Sequence, residues 1–174
     1  MRFRRNIIYL VLVGLTLFSS YAFPQKNPRS TSRIEIGDKF MFIEYGRPSL
    51  KGRDMFSQLE TNKFWRLGAD KSTTVTTSAN LSFNKVSIPA GTYSLWLKKL
   101  DAKNFSLVFN KKSGQWGTQH DAIDDLDGIP LSYSEGTDSV EQFTINLVKS
   151  GKGNGGDIVL LWGNVALKAP FTFK

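Results

Sequence analysis

Residues 92–110, TYSLWLKKLDAKNFSLVFN, place two apolar runs on either side of a four-residue Asp-Ala-Lys-Asn link. Two short apolar segments joined by so brief a polar connection predict an antiparallel hairpin. The same pattern recurs outward in both directions. In DKFMFIEY (38–45), Met41, Ile43 and Tyr45 alternate with Phe40 and Phe42, so both faces of that strand find cover. STTVTTS (72–78) is β-branched, and NLSFNKVSIPAG (80–91) reads as strand, Asn84-Lys85 turn, strand, Pro-Ala-Gly turn. VEQFTINLVK (140–149) and DIVLLWG (157–163) flank the glycine-rich SGKGNGG, and VALKAPFTF (165–173) closes the chain. A helical turn fits only around Asp54 to Leu59. The expected fold is all-β: an antiparallel β-sandwich, jelly-roll-like, with one short helical turn.

A chain of 174 residues supports one domain with a substantial core. Its first residues, MRFRRNIIYLVLVGLTLFSSYAF, join a basic start to an apolar run from Ile7 to Phe18, and Ser20 and Ala22 supply a small-x-small pair. These features predict a signal peptide over 1–22, cleaved after Ala22. The alternative, an uncleaved anchor, has an apolar run well short of the ~20 residues that span a bilayer. FPQKNPRST (23–31) reads as a linker, and 32–174 as the sandwich domain. The expected location is the periplasm or the cell exterior, with no membrane attachment after cleavage.

Three of the 23 basic residues lie in 1–22, leaving 20 against 15 acids, a net +5. That balance is too mild for a dedicated nucleic-acid binder. Cysteine is absent, which removes disulfides, thiol nucleophiles and thiolate metal sites.

Five stretches, YGRPSLKGRDMF (45–56), FWRLGAD (64–70), IPAGTYSLW (88–96), FSLVFNKKSGQWG (105–117) and LLWGNVALKAPFTF (160–173), together resemble domain-of-unknown-function family 2911, a group of exported bacterial proteins. The resemblance implies a secreted, sandwich-like domain and carries no activity or catalytic residue with it. The chain departs at Asp70 and Lys71, where the family more often has Asn and Glu.

The first of those stretches sets Arg47, Lys51 and Arg53 on one bend among Gly46, Pro48 and Gly52. With Arg66 and Trp65 nearby in sequence, three guanidiniums could converge beside an indole and hold a carboxylate, sulfate or phosphate. The plainer reading is that these arginines tie loops to backbone carbonyls and to Asp54, Glu60 or Asp70. Trp96 and Trp162 sit in apolar strands and read as core, whereas Trp116, in SGQWG, reads as exposed. The candidate ligand-binding residues are therefore Arg47, Lys51, Arg53, Trp65, Arg66 and Trp116.

HDAIDDLDG (120–128) gathers four aspartates and the single histidine. It fails the EF-hand spacing and offers too few convergent ligands for a catalytic zinc, so a solvated acidic loop is expected and no metal or cofactor is assigned. No G-x-S-x-G occurs, and the S-x-x-K in SFNK (82–85) falls in a hairpin without its companion motifs. The preferred reading is a non-catalytic exported module binding a small anionic or carbohydrate ligand, or a protein partner. The alternatives are a secreted hydrolase using a carboxylate pair and a purely structural envelope domain. A concave pocket lined by two carboxylates favours the hydrolase, and one lined by Arg and Trp favours binding.

Overall fold

The computed structural model describes residues 27–151 and 153–174. The expected signal peptide, its cleavage after Ala22 and linker residues 23–26 lie outside them. Among the described residues the elements are β1 (Arg29–Ile36), β2 (Lys39–Gly46), α1 (Met55–Gln58), β3 (Phe64–Trp65), β4 (Thr73–Thr77) and β5 (Leu81–Phe83). Then follow β6 (Val86–Ile88), β7 (Gly91–Lys99), β8 (Phe105–Asn110), a 3-10 turn at Ala122–Asp124, β9 (Ile129–Lys149) and β10 (Gly155–Phe173). Residues 29–31, read as linker, open β1.

Neighbouring strands run β1-β2-β4-β7-β8-β9-β10-β5-β6, all antiparallel, with β3 added beside β7. β9 joins the two halves: Ile129–Leu131 pair with β8, and from Ser132 onward β9 pairs with β10. The halves face each other across one core, in which Tyr45 meets Phe143 edge-on at 5.9 Å and Phe83 meets Phe109 at 5.7 Å. The fold is all-β and sandwich-like.

The predicted hairpins form as read. Lys99 pairs with Phe105, and in the link between them Asp101 Oδ1 accepts from the amides of Lys103 and Asn104. Phe83 pairs with Val86 across the Asn84-Lys85 turn, where Asn84 takes φ +52°. That conformation is tolerated by asparagine. Met41, Ile43 and Tyr45 are buried and Phe40 and Phe42 half-buried, as the alternation requires.

The strand pair at the C-terminus is longer than its apolar runs suggest. Val140 pairs with Gly163 and Glu135 with Val165, so residues 136–139 stand opposite Asn164 alone. This large bulge bends both strands. β10 doubles back about Gly163 (φ +63°) until Phe173 N–H donates to Asn154 O at 2.8 Å. The bend places Gly163, Asn164 and Val165 beside α1, and the functional candidates gather there.

Candidate functional site

α1 is a single turn, too short to hold itself, and its anchors are explicit. Asp54 caps it, Oδ1 accepting from Ser57 N–H at 3.1 Å. At its other end the ammonium of Lys99, a residue only 8 % exposed, donates to Phe56 O at 2.8 Å and to Ser57 O at 3.3 Å. Phe56 drives inward, meeting Phe105, Trp65 and Trp162 edge-on at 5.6, 6.5 and 6.4 Å. Trp65 and Trp162 stack at 5.1 Å and 14°, and the Trp162 indole N–H donates to Glu141 O.

Three adjoining clefts surround this turn. A largely apolar one of about 200 Å³ is lined by Met55, Phe56, Gln58, Leu59, Trp65 and Trp162. The second, about 440 Å³, shares Met55, Phe56 and Trp162 and adds Arg53, Asp54, Glu141 and Asn164 to its wall. The third, about 380 Å³, shares Asp54, Phe56 and Asn164 and adds Ser57, Lys99, Tyr133 and Glu135. An aromatic floor thus passes into a rim rich in oxygen acceptors.

Tyr133 O–H donates to Glu135 Oε1 at 2.5 Å, and Lys103 Nζ lies 3.5 Å from the same oxygen. Hydrogen bonding to Glu135, then burial, then the charges of Glu135 and Asp54 push the Tyr133 hydroxyl up to about 12. Glu135 is held below the usual carboxylate range, first by the Tyr133 hydrogen bond and then by Lys103. The Tyr133 shift stabilises the fold fully below the ordinary tyrosine value of 10.0, and that contribution is lost as pH rises through about 12. The Glu135 shift acts at the other end of the scale. Its contribution is present above the unfolded carboxylate value and disappears as pH falls through the lower folded value. A phenolate absorbance titration, taken as the difference between wild type and Tyr133→Phe, is expected to show a midpoint near 12 that falls towards 10.0 in Glu135→Gln. A midpoint near 10.0 in wild type contradicts the contact.

The arginines of the bend behave otherwise than an anion site requires. Arg47 donates through Nε to Phe143 O at 3.2 Å and through an Nη to Thr144 Oγ1 at 3.1 Å. Arg53 donates to Leu50 O at 2.9 Å and Ser49 O at 3.1 Å, within its own loop. Lys51 is exposed, its backbone N–H on Glu141 Oε1. Arg66 lies elsewhere, its stem beneath Gly117 in the 111–128 segment. That segment also lays His120 on Phe64 and Trp96. Arg47, Arg53 and Arg66 therefore engage separate parts of the fold, and only Arg53 and Trp65 of the six candidates line the clefts.

The partners of Arg47 and Arg53 are neutral carbonyls and, for Arg47, the Thr144 hydroxyl, so truncation strands no buried charge and the 3–5 kcal/mol scale of a broken buried ion pair does not apply. Arg47→Ala is expected to cost about 1–3 kcal/mol, because Phe143 O lies in the core. Arg53→Ala is expected to cost less than about 1 kcal/mol, since water can replace it at an exposed loop. Urea melts of the two variants check the order, and equal losses contradict it.

Trp96 and Trp162 are buried and Trp116 is 48 % exposed, matching their flanking sequences. The acidic loop is less solvated than its composition suggests. Asp125 accepts from Asn110 Nδ2 at 2.8 Å and lies 2.9 Å from His120 Nε2, both side chains largely covered. Asp121 O accepts from the same Asn110 Nδ2 at 2.8 Å, but the side chains of Asp121, Asp124 and Asp127 do not join them. Among the described residues no group of three or more His, Asp or Glu side chains is placed to hold a metal ion, and no helix is long and apolar enough to cross a membrane. Sequence reasoning missed Lys99, Tyr133, Glu135 and Asn164. Nothing in the sequence signals that Lys99 is covered, and only the strand register shows Asn164 in the bulge with Tyr133 and Glu135 just before it on β9.

The stretches that carry the family resemblance pack on one another. Gly46 of the first lies against the Ala69 backbone of the second, Gly117 of the fourth against Arg66 and Asp70, and Trp162 of the fifth on Trp65. The family described as "Protein of unknown function (DUF2911)" matches residues 27–171. The chain belongs to this family. No curated protein and no solved structure matches it. In this member the first, second and fifth DUF2911 stretches line the clefts, and the second and fourth pack on each other through Gly117.

Proposed function

We propose that the protein is an exported, non-catalytic module that binds a neutral carbohydrate in the cleft beside α1. The observation that carries this reading is the meeting of an aromatic floor, Trp65, Trp162 and Phe56, with a rim of acceptors, Asp54, Glu135, Glu141 and Asn164. A sugar offers an apolar ring face to the first and hydroxyl donors to the second. The same carboxylates repel an anion, and the arginines that would attract one are engaged by backbone oxygens. Export rests on the basic and apolar character of residues 1–22 and their Ser20/Ala22 pair.

Both sides of the pocket criterion are met here, since the second cleft carries Asp54 and Glu141 beside Arg53 and Trp162. The aromatic floor supports the binding reading. A paired-carboxylate hydrolase needs one acid kept protonated by a raised pKa, and Glu135, which lines the third cleft with Asp54, is displaced in the opposite direction. Calorimetric titration with neutral and acidic oligosaccharides tests the proposal. Binding of a neutral glycan, weakened about tenfold by Asn164→Ala and leaving the glycan intact, is expected. Cleavage of the glycan would establish the hydrolase instead, and no binding of any neutral glycan would overturn the reading.

A further inference from the structure

A different surface, away from α1, combines three features that packing alone does not account for. The first is backbone conformation. Leu67 adopts φ +48° and Asp70 φ +63° within five residues. Asp accepts this region readily, but leucine does so at a cost. The segment is nevertheless fixed, because Thr73 Oγ1 donates to Leu67 O, Gly117 N–H to Asp70 O at 2.9 Å, and Ser72 N–H to Gln115 O at 3.0 Å.

The second feature is polar groups without partners. Arg66 Nε and Asp70 Oδ2 are buried and make no hydrogen bond among the described residues. Native interiors rarely leave such atoms unsatisfied, and charged groups least of all. A mobile surface loop would let both side chains turn to solvent. Here the stem of Arg66 is held beneath Gly117, where even a Cβ would come within 2.0 Å of its Cδ. The third feature is Trp116, which is 48 % exposed next to that glycine. Its strand-bridge partner is Lys71, also exposed and without an ion pair among the described residues. Antiparallel partners present their side chains on the same face, so cation and indole stand together.

We infer that Arg66, Asp70, Lys71 and Trp116 form a second binding site, for an acidic sugar of the uronate class. The carboxylate pairs with Arg66 and Lys71, the ring hydroxyls donate to Asp70, and the apolar ring face lies on the Trp116 indole. Two cations against one anion leave a local excess of one positive charge, which suits a single carboxylate. A simple anion without donors would leave Asp70 unpaired and opposed to it. An amine without a carboxylate would meet Arg66 and Lys71. The ligand that satisfies all four residues carries a carboxylate, hydroxyls and a flat apolar face together. The site is independent of the cleft reading, since it shares no residue with it.

Titration of the full chain with trigalacturonate, with its methyl ester and with a neutral trisaccharide tests the inference, the Trp116 indole N–H resonance reporting. Trigalacturonate is expected to bind and to shift that resonance. The methyl ester, and the variants Arg66→Gln and Trp116→Ala, should bind it or be bound at least about tenfold more weakly. Trp116→Ala and Lys71→Gln alter exposed positions, so they keep the test decisive where Arg66→Gln impairs folding. Absence of uronate binding at millimolar concentration, equal binding of the ester, or binding unchanged in both Trp116→Ala and Lys71→Gln would overturn it. A neutral sugar that moves Trp65 while uronates leave Trp116 unmoved would support the cleft alone and reject this second site.

Discussion

Trp162→Ala is expected to lower stability by about 3–5 kcal/mol, the range for removing a large buried aromatic. The indole is 3 % exposed and sits where the two halves of the fold meet α1. It stacks on Trp65 at 5.1 Å and meets Phe143 and Phe56 edge-on at 5.6 and 6.4 Å. Each such pair adds about 0.5–1.5 kcal/mol beyond burial. Removing the indole also leaves Glu141 O without its Nε1–H donor. Nothing nearby can collapse into the space cheaply, because Phe56 is held by α1 and Trp65 by its pairing with Leu97. Trp96→Ala, 2 % exposed, should fall in the same range, and Trp116→Ala within about 1 kcal/mol of wild type. Urea denaturation checks the three together, and equal losses would contradict the assignment of Trp116 to the surface.

Gly46→Ala is the second large effect, expected to cost about 3 kcal/mol or more, at the upper end of overpacking. A Cβ at this position would lie 2.4 Å from Ala69 O and 2.8 Å from Ala69 N. Both obstacles are backbone atoms, so no side chain can swing aside. The chain on either side is also fixed: Tyr45 and Gly46 end β2, and Arg47 N–H donates to Pro28 O at 2.7 Å. Gly52→Ala in the same bend meets no atom within 4 Å, and its φ of +73° limits the cost to about 1 kcal/mol. Thermal melts of both variants give the comparison. A Gly46→Ala variant as stable as Gly52→Ala would contradict the backbone contact.

These two positions show how much of the fold was legible in the sequence. The hairpin at 92–110 and the Asn84-Lys85 turn were readable because short-range chemistry determines them. Apolar alternation sets the face, and the link residues set the turn. Trp96, Trp116 and Trp162 were readable from their neighbours for the same reason. The long strands β9 and β10 were not, because residues 132–139 are almost wholly polar and carry no strand pattern of their own. Their pairing comes from β10 alongside. Register then decides what a local reading cannot, placing Asn164 against α1 and Glu135 beside Tyr133.

The bend at 44–56 is instructive in the other direction. A guanidinium is equally suited to a ligand carboxylate and to a strand carbonyl, and residue order does not distinguish them. Of the glycines that promised a rigid mount for a binding site, Gly46 serves a close backbone contact on Ala69, whereas Gly52 meets no atom within 4 Å. Arg47 and Arg53 then secure the loop. Arg66, the one of the three arginines with no hydrogen-bond partner among the described residues, is the one whose stem lies beneath Gly117, next to Trp116 in sequence. The sequence named that arginine and that tryptophan, but could not show that they meet through Gly117.

Whether the aromatic cleft beside α1 receives a neutral sugar is read from the four tryptophan indole N–H resonances. They are to be followed during titration with a panel of neutral oligosaccharides. At least one glycan is expected to shift Trp65 and Trp162 in a saturable, concentration-dependent manner. Trp96, buried on the far side of β7 beneath His120, should stay in place. A panel in which no neutral glycan moves Trp65 or Trp162 would contradict it.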